Sequence, residues 1–493
     1  MLLLGIDIGT SSIKVAVVDA TTQKCIASCH YPEDTETPII APEIGWAEQS
    51  PEAWWQHAQH AIVKLNGSGV YDPRDIGAIG IAYQMHGLVL VDKAKNVLRN
   101  AIIWCDSRAV EIGDSAFEAL GKDIILKKLL NSPSNFTAAK LAWVKAHEPA
   151  IYEKIYKVML PGDFIALRLT GEITTSVSAL SEGIFWDFQT NRISEVLMDH
   201  FGFDHDLIPT INPLFGIHGL VSNEIAGVLG LKPGIPVSYK AGDQPNNALS
   251  LNVLNPGEVA ATAGTSGVIY GVSDSMVYDD KSRINTFAHV NYLADDPRVG
   301  VLLCINGTGI LNRWVKEQFG QGLDYPSMNA VAAEVAVGSD GLRIMPFGNG
   351  AERMLENKLL GAQILNLDLN KHNRAHMFRA CQEGIAFAFR YGLDIMRANG
   401  MSPNVIRASK SNLFLSELFV EIFVNVTGVP IELYENDGSV GAALGAGIGA
   451  AFFGSPKEAF ATIKPLKTVI PSGSICYEKI YQQWLDLLNK QLI

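Results

Sequence analysis

Apolar Leu4, Ile6 and Ile8 alternate with Gly5 and Asp7, the two-residue period of a strand. A small-residue turn follows, Gly9-Thr10-Ser11-Ser12, and residues 13–18 resume a β-branched apolar run. The pattern predicts a tight hairpin with an acid just before its bend. It recurs at residues 258–272, EVAATAGTSGVIYGV, where an apolar strand, Gly264-Thr265-Ser266 and a second strand come in the same order. Two unrelated hairpins with polar turns would share this local pattern. The spacing of Gly9 and Gly264, 255 residues in a chain of 493, points instead to a duplicated half.

Elsewhere the periodicity alternates between strand and helix. Ser50-Pro51-Glu52 opens a helix with a Ser N-cap and Pro in the first turn, and apolar residues continue at helical spacing to residue 65. Residues 75–82 read as a buried strand that delivers Gln84-Met85-His86-Gly87 at its end. Residues 89–92 and 102–104 are expected to continue that sheet, the latter ending in Cys105-Asp106-Ser107-Arg108. Residues 109–160 look helical, Leu160-Pro161-Gly162-Asp163 closes them, and 164–169 form another helix. Residues 176–182 read as a serine-rich loop. A strand over 238–241 runs into a turn, Gly242-Asp243-Gln244-Pro245. In the second half a strand precedes Gly307-Thr308-Gly309, residues 343–353 are strand then glycine loop, and 380–390 form a core helix. Residues 407–412 read as a polar loop between a strand and the helix 413–424. The small-residue helix 437–447 suits close packing on a sheet.

The chain is too long for one core, so two or three domains are expected. A hydrophobic fraction of 48% with 18% charged residues describes an ordinary globular protein. A net charge of −12 disfavours nucleic acid or an anionic membrane as partner. Met1-Leu2-Leu3-Leu4 lacks a basic flank, and no apolar run is long enough to span a bilayer, which predicts a cytoplasmic protein. Cys25, Cys29, Cys105, Cys304, Cys381 and Cys476 are scattered without zinc spacing and read as reduced, mostly buried thiols. Oligomeric state stays open, a homodimer included.

These patterns place candidate chemistry. Gly9 and Gly264 let the backbone approach a ligand, and the hydroxyls and N–H groups of Thr10, Ser11, Thr265 and Ser266 can hold an anion. Asp7 would repel that anion directly, so a bridging metal, a phosphate with Mg²⁺, fits. Lys14 reaches a phosphate or is a solvated strand residue. His86, with Gln84 beside it at a strand end, is a sugar contact or a structural histidine. Asp106 and Arg108 hold sugar hydroxyls or pair with each other. Gly309 lies in another nucleotide-type turn. Asp243 is a local turn cap or, at the seam between the halves, a general base.

In their order along nearly the whole chain, these motifs resemble those of the FGGY carbohydrate kinases. The resemblance rests on the Asp7-to-Thr10 hairpin, Gly45-Trp46-Ala47-Glu48-Gln49-Ser50-Pro51-Glu52-Ala53-Trp54-Trp55, Gln84-Met85-His86-Gly87 and Leu160-to-Asp163. Gly242-Asp243, Gly264-Thr265-Ser266-Gly267 and Gly441-to-Gly445 complete it. It implies an α/β fold of two ribonuclease-H-like, actin/hexokinase-type domains, residues 1–245 and 246–493, with a cleft between them. It implies ATP and Mg²⁺ as cofactors and a small-molecule sugar, D-xylulose, as substrate. By the same resemblance Asp243 is the general base, Asp7 helps hold the magnesium, and Met85-His86 is the sugar-binding pair. Glycerol kinases carry Arg-Glu at that place. Thr10 and residues 264–266 would touch the ATP phosphates, and Asn412 the nucleoside. Two departures stand out. Relatives carry Asp-Asn where this chain has Asp243-Gln244, a longer sugar contact. The adenosine loop, glycine-rich in relatives, reads Arg407-Ala408-Ser409, which would hold the backbone off the base and add a charge. The alternatives are a kinase of another ketose such as L-ribulose or of a sugar acid, and an ATP-gated sugar sensor or actin-like assembly protein on the same fold.

Overall fold

A computed structural model describes residues 1–435, 437–473 and 477–492; Cys476 lies outside them. Two mixed sheets organise the chain. The first is built from β1 (Leu2–Ile8), β2 (Ile13–Asp19), β3 (Cys25–Tyr31), β4 (Ile76–Tyr83), β5 (Phe215–Leu220) and β6 (Pro236–Gly242). Its order is β5-β6-β4-β1-β2-β3, with β1, β4 and β6 parallel and the others antiparallel to their neighbours. The second uses β7 (Glu258–Ala263), β8 (Gly267–Ser273), β9 (Asn285–Ala288), β10 (Val299–Ile305), β11 (Val405–Ser409), β12 (Ile431–Tyr434) and β13 (Lys467–Val469). Its order is β9-β10-β8-β7-β11-β12-β13, again with three parallel strands at its centre, β7, β11 and β12. With β9 and the outer antiparallel strands β5 and β13 set aside, the five remaining strands of each sheet share one topology. The duplication inferred from the hairpins is therefore a duplication of fold.

The helices that matter to the site are α1 (Pro51–Asn66), α2 (Val110–Leu120), α3 (Thr137–His147), α4 (Pro161–Thr170), α5 (Val177–Glu182), α6 (Asp243–Ser250), α7 (Gly309–Phe319), α8 (Arg374–Ala398) and α9 (Gly438–Gly449). The Ser50 hydroxyl caps α1 as its sequence predicts, accepting from the Ala53 N–H at 3.3 Å. The small-residue helix α9 comes from the second half yet packs on the first sheet, against β1, β4 and β6. A methyl group on Gly5 would lie 1.7 Å from the Ser439 carbonyl, and one on Gly80 1.9 Å from that of Ala442. Backbone therefore meets backbone, which explains the run of glycine and alanine in α9.

Several local expectations are corrected. The strands Val89–Val91 and Ala101–Ile102 do not extend the first sheet; they pair with Lys157–Met159 and Glu48–Gln49 in separate two-stranded ladders. The serine-rich stretch is the buried helix α5, capped by Ser176, rather than a loop. Asp243 opens α6 instead of sitting in a turn. Arg407, Ala408 and Ser409 belong to β11. Cys25, Cys105 and Cys304 are exposed and only Cys381 of the described cysteines is fully buried, so these thiols are free but not mostly buried. No helix among the described residues is long and apolar enough to cross a membrane.

Candidate active site

Asp7 lies near the carboxyl end of β1, and Gln84-Met85-His86 and Asp243 follow the carboxyl ends of β4 and β6. Asp7 is the one residue of β1 that is not buried, and it lies in register with Lys14 across the hairpin. Burial pushes its carboxyl up to about 6; Lys14 pulls it down and Asp437 pushes it further up. Asp243 is raised to about 7, by burial first and then by the charge of Asp7, while hydrogen bonds from Gln244 oppose the rise. Asp243 therefore feels the charge of Asp7. The N-terminus of α9 closes over Asp7: a methyl on Gly438 would fall 2.5 Å from Asp7 Oδ2, and Asn246 Nδ2 donates to the Gly438 carbonyl at 2.8 Å.

His86 holds a left-handed backbone, φ 62°, which a histidine adopts only when its surroundings impose it. Four contacts impose it. The Glu182 carboxyl accepts the His86 N–H at 3.3 Å, and Lys140 and Thr137 donate to the His86 carbonyl at 2.9 and 3.3 Å. The ring Nδ1 meets the Glu182 carbonyl at 3.0 Å, so Nδ1 carries the proton. Nε2, without a partner among the described residues, is then an acceptor. Burial, followed by the Lys140 charge, lowers the ring to about 3 and keeps it neutral. Phe136 and Phe287 pack on it, with centroids 4.8 and 5.4 Å away. Met85 is buried beside it, while Gln84 is withdrawn from the cleft into a bond with Gln49 at 3.0 Å.

Asp106 takes the ion-pair alternative. Arg108 donates to both its oxygens at 2.7–3.0 Å and the Ala47 N–H adds a bond at 2.6 Å, so its lone pairs are spent and it cannot serve a sugar. The Leu160-to-Asp163 motif has a comparable structural task. Asp163 binds Lys240 of β6 at 2.6 Å in a fully buried pair, and Lys240 also reaches the Thr174 carbonyl at 2.7 Å. This pins the strand that presents Asp243. Gln244 lies next to Asp243, with its Oε1 unpaired among the described residues.

In the first turn the Thr10 hydroxyl accepts the Trp104 indole N–H at 3.0 Å, Ser11 is exposed at the tip, and Lys14 is an exposed strand residue. In the second, Gly264 and Thr265 border a cavity of about 830 Å³ that also touches Gly309, Tyr325, Asn329 and Asn412. Ser266 is half-buried beside it. Gly309 serves the turn instead of offering a free donor, since its N–H binds the Gly264 carbonyl at 2.8 Å. Arg407 does not border the cavity. Its guanidinium bonds Glu432 at 2.9 Å and pairs with Glu258 at 3.2 Å, so the expected charge near the base is absent. The turn that lines the cavity begins at Asn412-Leu413, with Asn412 at φ 51°.

Sequence reasoning missed Glu182, Asn329, Tyr325 and the approach to Asp7 of the helix start Asp437-Gly438, which it read as packing alone. The last carries a readable signal, an N-cap aspartate followed by a glycine before a helix. The other three have none, because only the tertiary fold brings them to the cleft.

Paired ribonuclease-H-type sheets with two facing carboxylates and a Gly-Thr-Ser turn on either side define a phosphoryl-transfer enzyme of the actin and hexokinase class. Residues 2–250 match the N-terminal domain, and residues 259–452 the C-terminal domain, of the FGGY family of carbohydrate kinases. The chain belongs to that family and is an ATP-dependent sugar kinase. It is 27% identical to a xylulose kinase of Escherichia coli K12, over 94% of this chain and 92% of that one. It is 28% identical to a xylulose kinase of Bacillus subtilis 168, over 92% and 89%. Among solved structures, a xylulose kinase from Brucella ovis superposes with a TM-score of 0.89 at 25% identity, covering 99% of both chains.

Proposed function

We propose that the protein transfers the γ-phosphoryl group of ATP to O5 of D-xylulose, with Asp243 as general base. The observation that carries this reading is the pairing of Asp243, a carboxyl raised to about 7, with a neutral His86 whose Nε2 is free to accept from a sugar hydroxyl. The xylulose kinases among the relatives support the ketose. A base of that strength accepts the hydroxyl proton as the new P–O bond forms and is about half ionised at neutral pH. Residues 1–245 supply the sugar contacts, Met85, His86 and Gln244, and the first phosphate turn with Thr10, Ser11 and Lys14. Residues 246–493 supply Gly264, Thr265 and Ser266 for the phosphates and the cavity with Asn412 for the nucleoside; Gly309 acts by holding the second turn. Asp7 offers one half-buried carboxylate, too few for an all-protein cage and suited to an Mg²⁺ ion that arrives on ATP. When bound there it supplies charge neutralisation for the phosphates. Closure of the two halves excludes water from the transfer.

The test is a coupled ADP-release assay with ATP, Mg²⁺ and D-xylulose, L-ribulose, D-ribulose, L-xylulose, L-fuculose and glycerol. Preference for D-xylulose is the expected result. Preference for another sugar discards the substrate and leaves the Asp243 mechanism standing.

A further inference from the structure

Arg353 is a cation near His86 that the mechanism above leaves without a task. It begins a short turn, Arg353–Leu355, just past the glycine loop of the second half. The residue before it is anchored: the Glu352 carboxylate accepts the Asn306 N–H at 3.0 and 3.1 Å. The guanidinium gives one bond, Nη1 to Asn285 Oδ1 at 2.7 Å, and lies 6.0 Å from the centroid of Phe136, the ring that packs on His86. Its charge acts on His86 and, together with that of Asp243, on the Cys304 thiol. It therefore borders the sugar site from the half opposite Met85 and His86. No carboxylate among the described residues forms an ion pair with it. Asp114 of α2 and Arg353 feel each other's charge. An arginine that is partly desolvated and has no counter-ion costs free energy, which a ligand acceptor recovers.

We infer that Arg353 is a specificity-determining contact that donates to the carbonyl oxygen of an open-chain ketose, at the end of the sugar away from Asp243. The inference rests on the ketose-kinase reading above. A guanidinium only donates and a ketone oxygen only accepts, so the pair leaves no proton unmatched. The alcohol at the same carbon of a pentitol brings a proton for which Arg353 has no acceptor. The ketone is thus favoured over the alcohol.

The test compares kcat/KM for D-xylulose and D-arabinitol in the native enzyme, Arg353→Met, Arg353→Lys and Asp114→Asn, with thermal melting as a check that each variant is folded. Arg353→Met should lower the ketose value roughly 10- to 100-fold and change the pentitol value far less, so the preference collapses. Arg353→Lys should recover part of it, and Asp114→Asn should keep it. An Arg353→Met enzyme that keeps its preference, or loses both substrates equally, overturns the inference while the ketose reading stands. Loss of preference in Asp114→Asn overturns it too, because the arginine then works through a closing ion pair. A native enzyme that turns over no ketose overturns the functional reading, and this inference with it.

Discussion

The two Gly-Thr-Ser turns have the same sequence and opposite surroundings. The first is braced mainly by side chains from its own half, Trp104 on the Thr10 hydroxyl and Gln49 on the Thr10 carbonyl at 2.8 Å, with one backbone bond from the Thr37 N–H to the Ser11 carbonyl at 2.7 Å. The second is braced by backbone. The N–H groups of Gly309 and Ile310 bind the carbonyls of Gly264 and Thr265 at 2.8 and 3.1 Å, and the Thr308 hydroxyl adds a bond at 2.9 Å. Two residues before the turn, the first hairpin carries Asp7, in register with Lys14. The second carries Thr262, in register with Val268. Duplication kept the anion-holding turn in both halves and the charged pair in one. That asymmetry is what divides the labour in our reading: metal and acceptor chemistry on the first sheet, nucleotide on the second.

Substitution of the two paired positions separates the halves most sharply. Asp7→Asn should cut kcat at least about 100-fold, as expected for a group that stabilises transferring charge. Thr262→Ala should change it little. Equal losses at the two positions would erase the distinction. Next in size is Gly309→Ala. Its new methyl would stand 2.3 Å from the Gly264 carbonyl and push the second turn out of place, a strain of about 1–3 kcal/mol. The KM for ATP should rise roughly tenfold, the same strain read as binding, with the sugar KM unchanged; a rise in the sugar KM alone would contradict the assignment of that turn. The smallest effect belongs to Arg407→Ala. Because its guanidinium faces Glu258 and Glu432, the ATP KM should shift by less than about twofold, within the range of substitutions distant from a site. Equilibrium ATP binding by calorimetry reads both of these directly.

Much of this was legible in the chain. The hairpins, the Asp7 and Asp243 carboxylates, Met85-His86 and the small-residue helix all lie in local patterns that physics ties to local structure. What failed was long-range. Residues 89–91 and 101–102 have the apolar composition of sheet strands, but which neighbour a strand pairs with is decided by the whole fold. The 176–182 stretch is too short for helical periodicity to declare itself, and its polar residues hid a buried helix. Asp106 looked available because a guanidinium two residues on gives no sign of whether it folds back; here it does, at 2.7 Å. Arg407 looked like an obstacle to ATP because a strand end was placed two or three residues early. Arg407 lies within β11, and its charge is held by Glu432 and Glu258.

The central claim, that Asp243 takes the proton from the sugar, is tested most directly by the pH dependence of kcat/KM for D-xylulose in the native enzyme and in Asp243→Asn. A carboxyl raised to about 7 must be ionised to act as base, so the native value should fall about tenfold per unit as pH drops below that point. Asp243→Asn should lose roughly 10²- to 10⁴-fold at pH 8 and show no such inflection. Near-native turnover in Asp243→Asn, or an unchanged inflection, would contradict the account.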